Sequence, residues 1–444
     1  MKRSSVLSCL ACLPVLILLN SLWIPWGSAA PVQGPPASAG SKPTTTTVIV
    51  KAAKGLQLAQ QLAAINGHGG VVKRSIPKLN LHVVEIPAAA AAAITKELSS
   101  DPAIARVEAN RQRKIKGLPA LAPAPAPQTS AASLPWYLSQ ISWDQVYGSV
   151  TPTSLATVAV LDTGVDASHP DLTDNVVPGT SILDGSDGTT DPNGHGTWVS
   201  GLVAARLNQA QGTGGVGYSL VQVMPVTVLG ADGTGYDGDI IAGVVYAADH
   251  GASVILMAFS ASGYSDSLQE AIDYAWSNNV VIVAAAGNDG SNTGTFPAGD
   301  RGVIGGSATD QNDALASWSN YGPSIFMAAP GVGIASTYPG ASYATWDGTS
   351  ASAAILAGSA ALMRAIDSTL SNGVVVDRLA GTADAAGTQD QTGNGRVNLA
   401  RAISDTSTTS IEPSGSAPVG NGGPFVGPYK RSAISDRRSA GRFD

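Results

Sequence analysis

Residues 157–164 read Thr157-Val158-Ala159-Val160-Leu161-Asp162-Thr163-Gly164, an apolar run closed by a carboxylate and a turn. A strand with one face in water would show a polar residue at every second position. Thr157–Leu161 shows almost none, so it reads as a strand buried on both faces. Runs of the same kind recur at Gln222–Leu229, Ser253–Ala258 and Val280–Ala285. Helical patterns fall between and after them, at His195–Arg206, Asp237–Asp249, Ser267–Asn278 and Ser350–Ile366. Near-continuous apolar strands alternating with helices predict an α/β domain over 134–404, a parallel sheet covered by helices on both faces. In such a sheet, functional groups gather at the C-terminal ends of the strands and at the helix starts that follow.

Outward from this domain the composition changes. Residues 1–30 have a charged start (Lys2, Arg3), an apolar run Leu10–Leu22 broken by Pro14 and Asn20, and a small-residue exit Gly27-Ser28-Ala29-Ala30. That pattern predicts a cleaved secretory signal and a secreted protein with no membrane association once the signal is removed. Residues 31–46 are a Pro/Gly/Ser/Thr spacer. Residues 47–116 read as a small α+β unit, with strands at Val48–Val50 and Leu79–Ile86 and helices at Gln57–Ile65 and Ala88–Leu98. Residues 117–133, which include the Pro/Ala stretch 120–133, form a linker, and 405–444 a low-complexity tail. Both cysteines, Cys9 and Cys12, lie in the signal. A mature chain without them has neither a disulfide nor a thiol nucleophile.

Charge is split between neighbouring segments. Residues 44–116 carry 11 Lys/Arg and 4 Asp/Glu, a net of +7, whereas residues 134–404 carry 6 Arg, no Lys and 24 Asp/Glu, a net of −18. Opposite signs predict mutual attraction. An acidic surface lacking Lys excludes nucleic acid as a partner.

Three motifs carry chemistry. Asp162 closes the first strand, His195 opens a helix within Asn193-Gly194-His195-Gly196-Thr197, and Ser350 opens another within Asp347-Gly348-Thr349-Ser350-Ala351-Ser352. Each alone has a plain explanation as a turn residue, a surface histidine or a helix cap. Together they supply what a serine nucleophile needs, a base to take its proton and a carboxylate to hold the base. A fourth element, Ala284-Ala285-Ala286-Gly287-Asn288-Asp289, puts an amide at the end of a strand.

These segments resemble the subtilisin family, which has DTG, HGT and GTS stretches in the order Asp, His, Ser. Supporting stretches include Leu134-Pro135-Trp136, Val228–Gly233, Ala329-Pro330-Gly331 and Gly395–Asn398. The resemblance implies a serine endopeptidase acting on proteins or peptides, with Asp162, His195 and Ser350 as catalytic residues and Asn288 in the oxyanion hole. It implies that 47–116 is a propeptide, a chaperone and temporary inhibitor, cut off by the enzyme itself near Lys116-Gly117. Substrate would lie along Ala258, Phe259, Ser260, Ala285 and Gly287, in a mostly apolar pocket whose rim residue Asp289 could also accept a basic side chain. No cofactor is implied for the chemistry, but the family often holds structural calcium, here expected at Asp171 with carbonyls from 207–213.

The chain departs from the family where Met, Pro and His usually follow the serine. Here stand Ala351, Ala354 and Ile355, and Ser260 stands where a groove glycine is usual. An α/β-hydrolase esterase is disfavoured because its order is Ser, Asp, His, and 348–352 lacks the second Gly of its elbow. A protease-shaped binding protein without activity is disfavoured by the intact Asp, His, Ser and Asn set.

Overall fold

A computed structural model describes residues 44–116, 134–207, 213–415 and 423–426. The readings made for the signal, most of the spacer, the linker 117–133 and the end of the tail fall outside these residues.

The first unit contains β1 (Thr45–Ala52), α1 (Leu58–Gly67), β2 (Val71–Ile76), β3 (Leu81–Pro87), α2 (Ala91–Ser100) and β4 (Ile104–Ala109). Its strands form an antiparallel sheet in the order β2-β3-β1-β4. Side-chain alternation divides the apolar residues of β1 between two places. Val48 and Val50 face Ile65, Val84, Ile86 and Leu98 in the unit's own core. Ile49, with Leu79 and Leu81, joins an apolar cluster of the following domain. A unit of this size has a thin core of its own, and each such side chain buried on a neighbour adds about 1.5–3 kcal/mol. A short strand, β5 (Gln112–Lys114), follows.

The larger domain contains α3 (Trp136–Gln140), β6 (Ala156–Asp162), β7 (Thr180–Ser181), α4 (His195–Ala204), β8 (Val221–Thr227), β9 (Thr234–Tyr236), α5 (Asp237–Asp249) and β10 (Val254–Met257). It continues with α6 (Asp266–Ser277), β11 (Val281–Ala285), β12 (Val303–Thr309), β13 (Met327–Pro330), the hairpin β14 (Ile334–Tyr338) and β15 (Ser342–Trp346), α7 (Thr349–Ile366) and α8 (Asn372–Gly381). Seven strands make one parallel sheet in the order β13-β12-β11-β10-β6-β8-β7.

Both faces of that sheet are covered, which is why its central strands β6, β10 and β11 are almost wholly apolar. Val158, Val160, Val254, Leu256, Val281 and Val283 face the cluster that holds α4 and α7. Their neighbours Ala159, Leu161, Ile255, Met257, Ile282 and Ala284 face the cluster that holds α5 and α6. Helix α7 is apolar enough to cross a membrane by composition, but it is buried almost throughout as the central helix of this core.

Topology locates the site. From β6 the chain passes through α4 to β8 on one side. From β8 it passes through α5 to β10 on the other side of β6. The connections thus diverge at β6, and a crevice opens beyond its C-terminal end, where Asp162 stands.

Candidate active site

Asp162 is the last residue of β6, His195 the first of α4, and Ser350 lies in the first turn of α7. Two close approaches that bring β6 and α4 together require glycine. Gly164 has φ +112°, and a Cβ there would lie 1.9 Å from the Thr190 carbonyl oxygen. A Cβ on Gly196 would lie 2.0 Å from the Gly164 oxygen.

Asp162 has no exposed surface and His195 is 2 % exposed. His195 Nδ1 lies 2.9 and 3.0 Å from the two Asp162 carboxylate oxygens. The Thr163 amide donates to Asp162 Oδ1 at 2.8 Å, which fixes the carboxylate. A carboxylate accepts only, so Nδ1 carries the proton and Nε2 is left as the basic nitrogen. His195 and Ser350 line one cleft, shared with Asn193, Trp198, Trp346 and Ile115. The Ser350 hydroxyl donates to the Ala258 carbonyl at 2.9 Å.

Asn288 is oriented by its partners. Its Oδ1 accepts the Thr349 amide at 2.9 Å and the Thr349 hydroxyl at 2.8 Å. A backbone amide can only donate, so the atom facing it must be the oxygen, and the NH2 group points the other way. There it donates to the carbonyl oxygen of Lys116.

Lys116 reaches this place because β5 lies in the domain's groove as an added strand. β5 pairs antiparallel with β9, and the Ile115 amide continues the ladder to the Gly233 carbonyl at 2.9 Å. On the other side the Ser260 amide donates to the Lys114 carbonyl at 3.1 Å. The segment 112–116 is thus held on both edges by main-chain bonds, a sequence-independent way to hold an extended peptide. The Lys116 ammonium lies 2.5 Å from the Asp289 carboxylate.

Of the residues expected along the groove, Ser260 meets the inserted strand directly and Ala258 accepts the Ser350 hydroxyl. Gly287 donates its amide to the Thr349 hydroxyl at 3.0 Å, and Ala285 is buried in the α4/α7 core cluster. Phe259 is buried in the α5/α6 cluster, against which Ile115 of the inserted segment packs. Ala351 is fully buried behind Ser350.

Asp171 accepts the Tyr343 hydroxyl at 2.6 Å, and burial with that contact raises the phenol above its usual range. Among the described residues no three His, Cys, Asp or Glu side chains cluster. Asp171 is a single carboxylate already engaged by Tyr343, and residues 208–212 of the expected carbonyl loop are outside the described set. Calcium takes backbone carbonyls as well as carboxylates, so the expected set at Asp171 and 207–213 extends beyond the described residues.

Two features of the site had no local signal in the sequence. Asp191 clamps the start of α4. Its Oδ1 accepts the Thr163 hydroxyl and the Gly194 amide, each at 2.8 Å, and its Oδ2 accepts the Thr197 amide at 2.8 Å and hydroxyl at 2.7 Å. Trp346, at the end of β15, stacks on His195 with centroids 5.6 Å apart and planes 23° apart.

The family model for the subtilase family, Peptidase S8, matches residues 154–399. The chain belongs to the subtilase family. It is 39 % identical over 268 residues to Subtilisin BL of Lederbergia lenta, a match covering 60 % of this chain and 98 % of that protein. Thermitase of Thermoactinomyces vulgaris is 38 % identical over 263 residues, 59 % of this chain and 91 % of the relative. An alkaline protease of Shouchella clausii is 38 % identical over 270 residues, 61 % of this chain and 70 % of the relative. This subtilase is a serine endopeptidase, and its parallel sheet with helices on both faces is the fold that the resemblance implied.

Proposed function

We propose that the chain is a secreted endopeptidase made as a precursor that cuts itself after Lys116, with Ser350 as nucleophile, His195 as general base, Asp162 as the group orienting it and Asn288 as an oxyanion donor. Ser350 attacks the Lys116 carbonyl carbon while its proton passes to His195 Nε2. The Asn288 amide meets the charge that develops on the carbonyl oxygen. His195 then returns the proton to the leaving amine, and water releases the acyl group from Ser350 by the same steps in reverse order. For attack the Ser350 hydroxyl, which here donates to Ala258, must turn toward His195 in the cleft that both residues line.

One observation carries this reading. The Lys116 carbonyl rests on the Asn288 amide while the four residues before it fill the groove as a strand. Gel electrophoresis and N-terminal sequencing of the purified protein test it. The expected mature chain starts at Gly117, and it digests casein until a serine-directed inhibitor is added. A mature chain starting inside 47–116, or casein digestion untouched by the inhibitor, contradicts it.

Asn288→Ala is expected to fold and to lose about 10²–10³ in kcat with KM little changed, the size known for the oxyanion amide of subtilisin and carried over from it. Peptide hydrolysis under saturating substrate measures it, and a loss below threefold removes Asn288 from the site.

The unit 47–116 acts as an inhibitor while it stays docked. Five ion pairs cross to the acidic domain with some exposure on both sides: Lys51–Glu270, Arg74–Asp239, Lys78–Asp249, Arg106–Glu270 and Lys116–Asp289. Glu108 accepts the Ser267 amide at 2.9 Å, and Asn110 accepts the Gly238 amide at 2.8 Å. These side chains therefore cap the first turns of α6 and α5 from outside. Exposed pairs are individually weak and strongly screened. The separate 47–116 segment is therefore expected to inhibit the mature enzyme about tenfold less tightly in 0.5 M than in 0.05 M salt. An inhibition constant indifferent to salt means that charge plays no part in docking.

A further inference from the structure

Arg113, on the strand that fills the groove, is a cation with no exposed surface. Its Nε donates to Asp237 Oδ1 at 2.6 Å and its Nη2 to Asp237 Oδ2 at 2.9 Å. Asp237, the first residue of α5, is itself fully buried. A second carboxylate, Asp300, is also fully buried, and neither of its oxygens has a hydrogen-bond partner among the described residues. Burial pushes both carboxyls above their usual range, with the Arg113 charge opposing the rise in each. The guanidinium thus pairs with Asp237 in a dry pocket, and its charge also acts on the buried Asp300.

Two readings of this pocket differ in their consequences. As a contact of the folded 47–116 unit alone, it would matter only for docking. But Arg113 is not on that unit's four-stranded sheet. It lies on β5, the extended segment held on both edges in the groove, three residues before Lys116. Asp237 and Asp300 both belong to the catalytic domain, so the acidic pocket stays when the segment leaves.

We infer that Asp237 forms an arginine-selective subsite for the substrate residue three places before the one whose carbonyl is attacked. Preferred substrates then carry Arg at that place and tolerate Lys at the cleavage point, as in Arg113-Lys114-Ile115-Lys116. The inference rests on the reading that segment 113–116 lies in the groove as a substrate does. The two basic residues are not equivalent. The Lys116–Asp289 pair has side chains 24 % and 43 % exposed, so water competes for it and it selects little. The Arg113–Asp237 pair is dry and bidentate, and a substrate without the guanidinium leaves buried acid unpaired. A lysine supplies one point charge instead of a planar fork and matches Asp237 less well.

The test uses the mature enzyme and four acetylated tetrapeptide anilides, Arg-Lys-Ile-Lys and its versions with Lys, Leu or Ala in the first place. The expected kcat/KM for the Arg peptide exceeds that for the Leu peptide by about 30-fold or more, and that for the first-place Lys peptide by a smaller factor. In Asp237→Asn the Arg-to-Leu ratio is expected to fall below about threefold. Because Asp237 also meets Arg113 in the precursor, the double variant Arg113→Leu/Asp237→Leu is made alongside, with the ratio expected to drop there too. Equal cleavage of the Arg and Leu peptides by wild type overturns the subsite even if the mature chain begins at Gly117. A strong Arg preference with processing elsewhere retains the subsite and overturns only the processing reading.

Discussion

Replacing Ser350 with Ala is expected to leave a folded precursor of full length that neither digests casein nor releases the 47–116 segment. The expected fall in kcat is about 10⁶-fold, the size known for the nucleophile of subtilisin and taken over from it. The substitution removes one oxygen from a side chain 5 % exposed in the first turn of α7, beside the fully buried Thr349 to Ala354. The packing of that helix does not depend on the hydroxyl, which donates to the Ala258 carbonyl. Asn288 stays aimed at Lys116, because Thr349 still holds its oxygen. The variant therefore separates chemistry from folding. Expressed alone and sequenced from its N-terminus, it should retain residues 47–116. A Ser350→Ala protein still cut after Lys116 would show that another protease makes the cut.

How much of this was legible in the sequence depends on where the physical constraint was local. The strands read at Thr157–Leu161, Gln222–Leu229, Ser253–Ala258 and Val280–Ala285 match β6, β8, β10 and β11 to within one or two residues. Burial on both faces leaves an unbroken apolar run, a signal carried by the segment itself. β12 carries no such run, because its centre is Gly305-Gly306. A Cβ on Gly305 would lie 2.0 Å from the Ser324 oxygen, and one on Gly306 would lie 2.9 Å from Leu356 of α7. Close packing there excludes the side chains that would have marked a strand. β13 ends in Pro330, tolerated at an edge strand and easily read as a break. β5 is the extreme case: Gln-Arg-Lys has no strand pattern, and its conformation comes from β9 and Ser260 on either side.

The site shows the same division. Asp162, His195, Ser350 and Asn288 stood out because each sits near a strand end or helix start with glycine within two residues. Asp191 and Trp346 act on α4 and His195 from loops and a hairpin far away in sequence. No periodicity records such contacts. Asp237 was legible only as the start of a helix. Its partner Arg113 is 124 residues away, and nothing in either segment names the other.

Asp162→Asn should lower kcat by about 10⁴-fold, the size found for the equivalent change in a serine protease of another fold. The geometry here gives the reason. Asp162 Oδ1 receives the Thr163 amide, a group that can only donate, so the oxygen of an asparagine must occupy that position. The asparagine nitrogen then takes the place of Oδ2, 3.0 Å from His195 Nδ1. An NH2 group donates, so it favours the imidazole tautomer whose proton is on Nε2 and whose Nδ1 is bare. That tautomer presents an N–H to Ser350 and cannot accept its proton. The imidazolium that forms during attack also loses the buried negative charge opposite it, in a place with no water to replace it. Shape and volume barely change, so near-ultraviolet circular dichroism should match wild type. The measurement is the half-time for release of 47–116 from refolded precursor, followed by gel against wild type. Slowing by less than tenfold would mean that Asp162 neither sets the tautomer of His195 nor carries the charge the reaction needs.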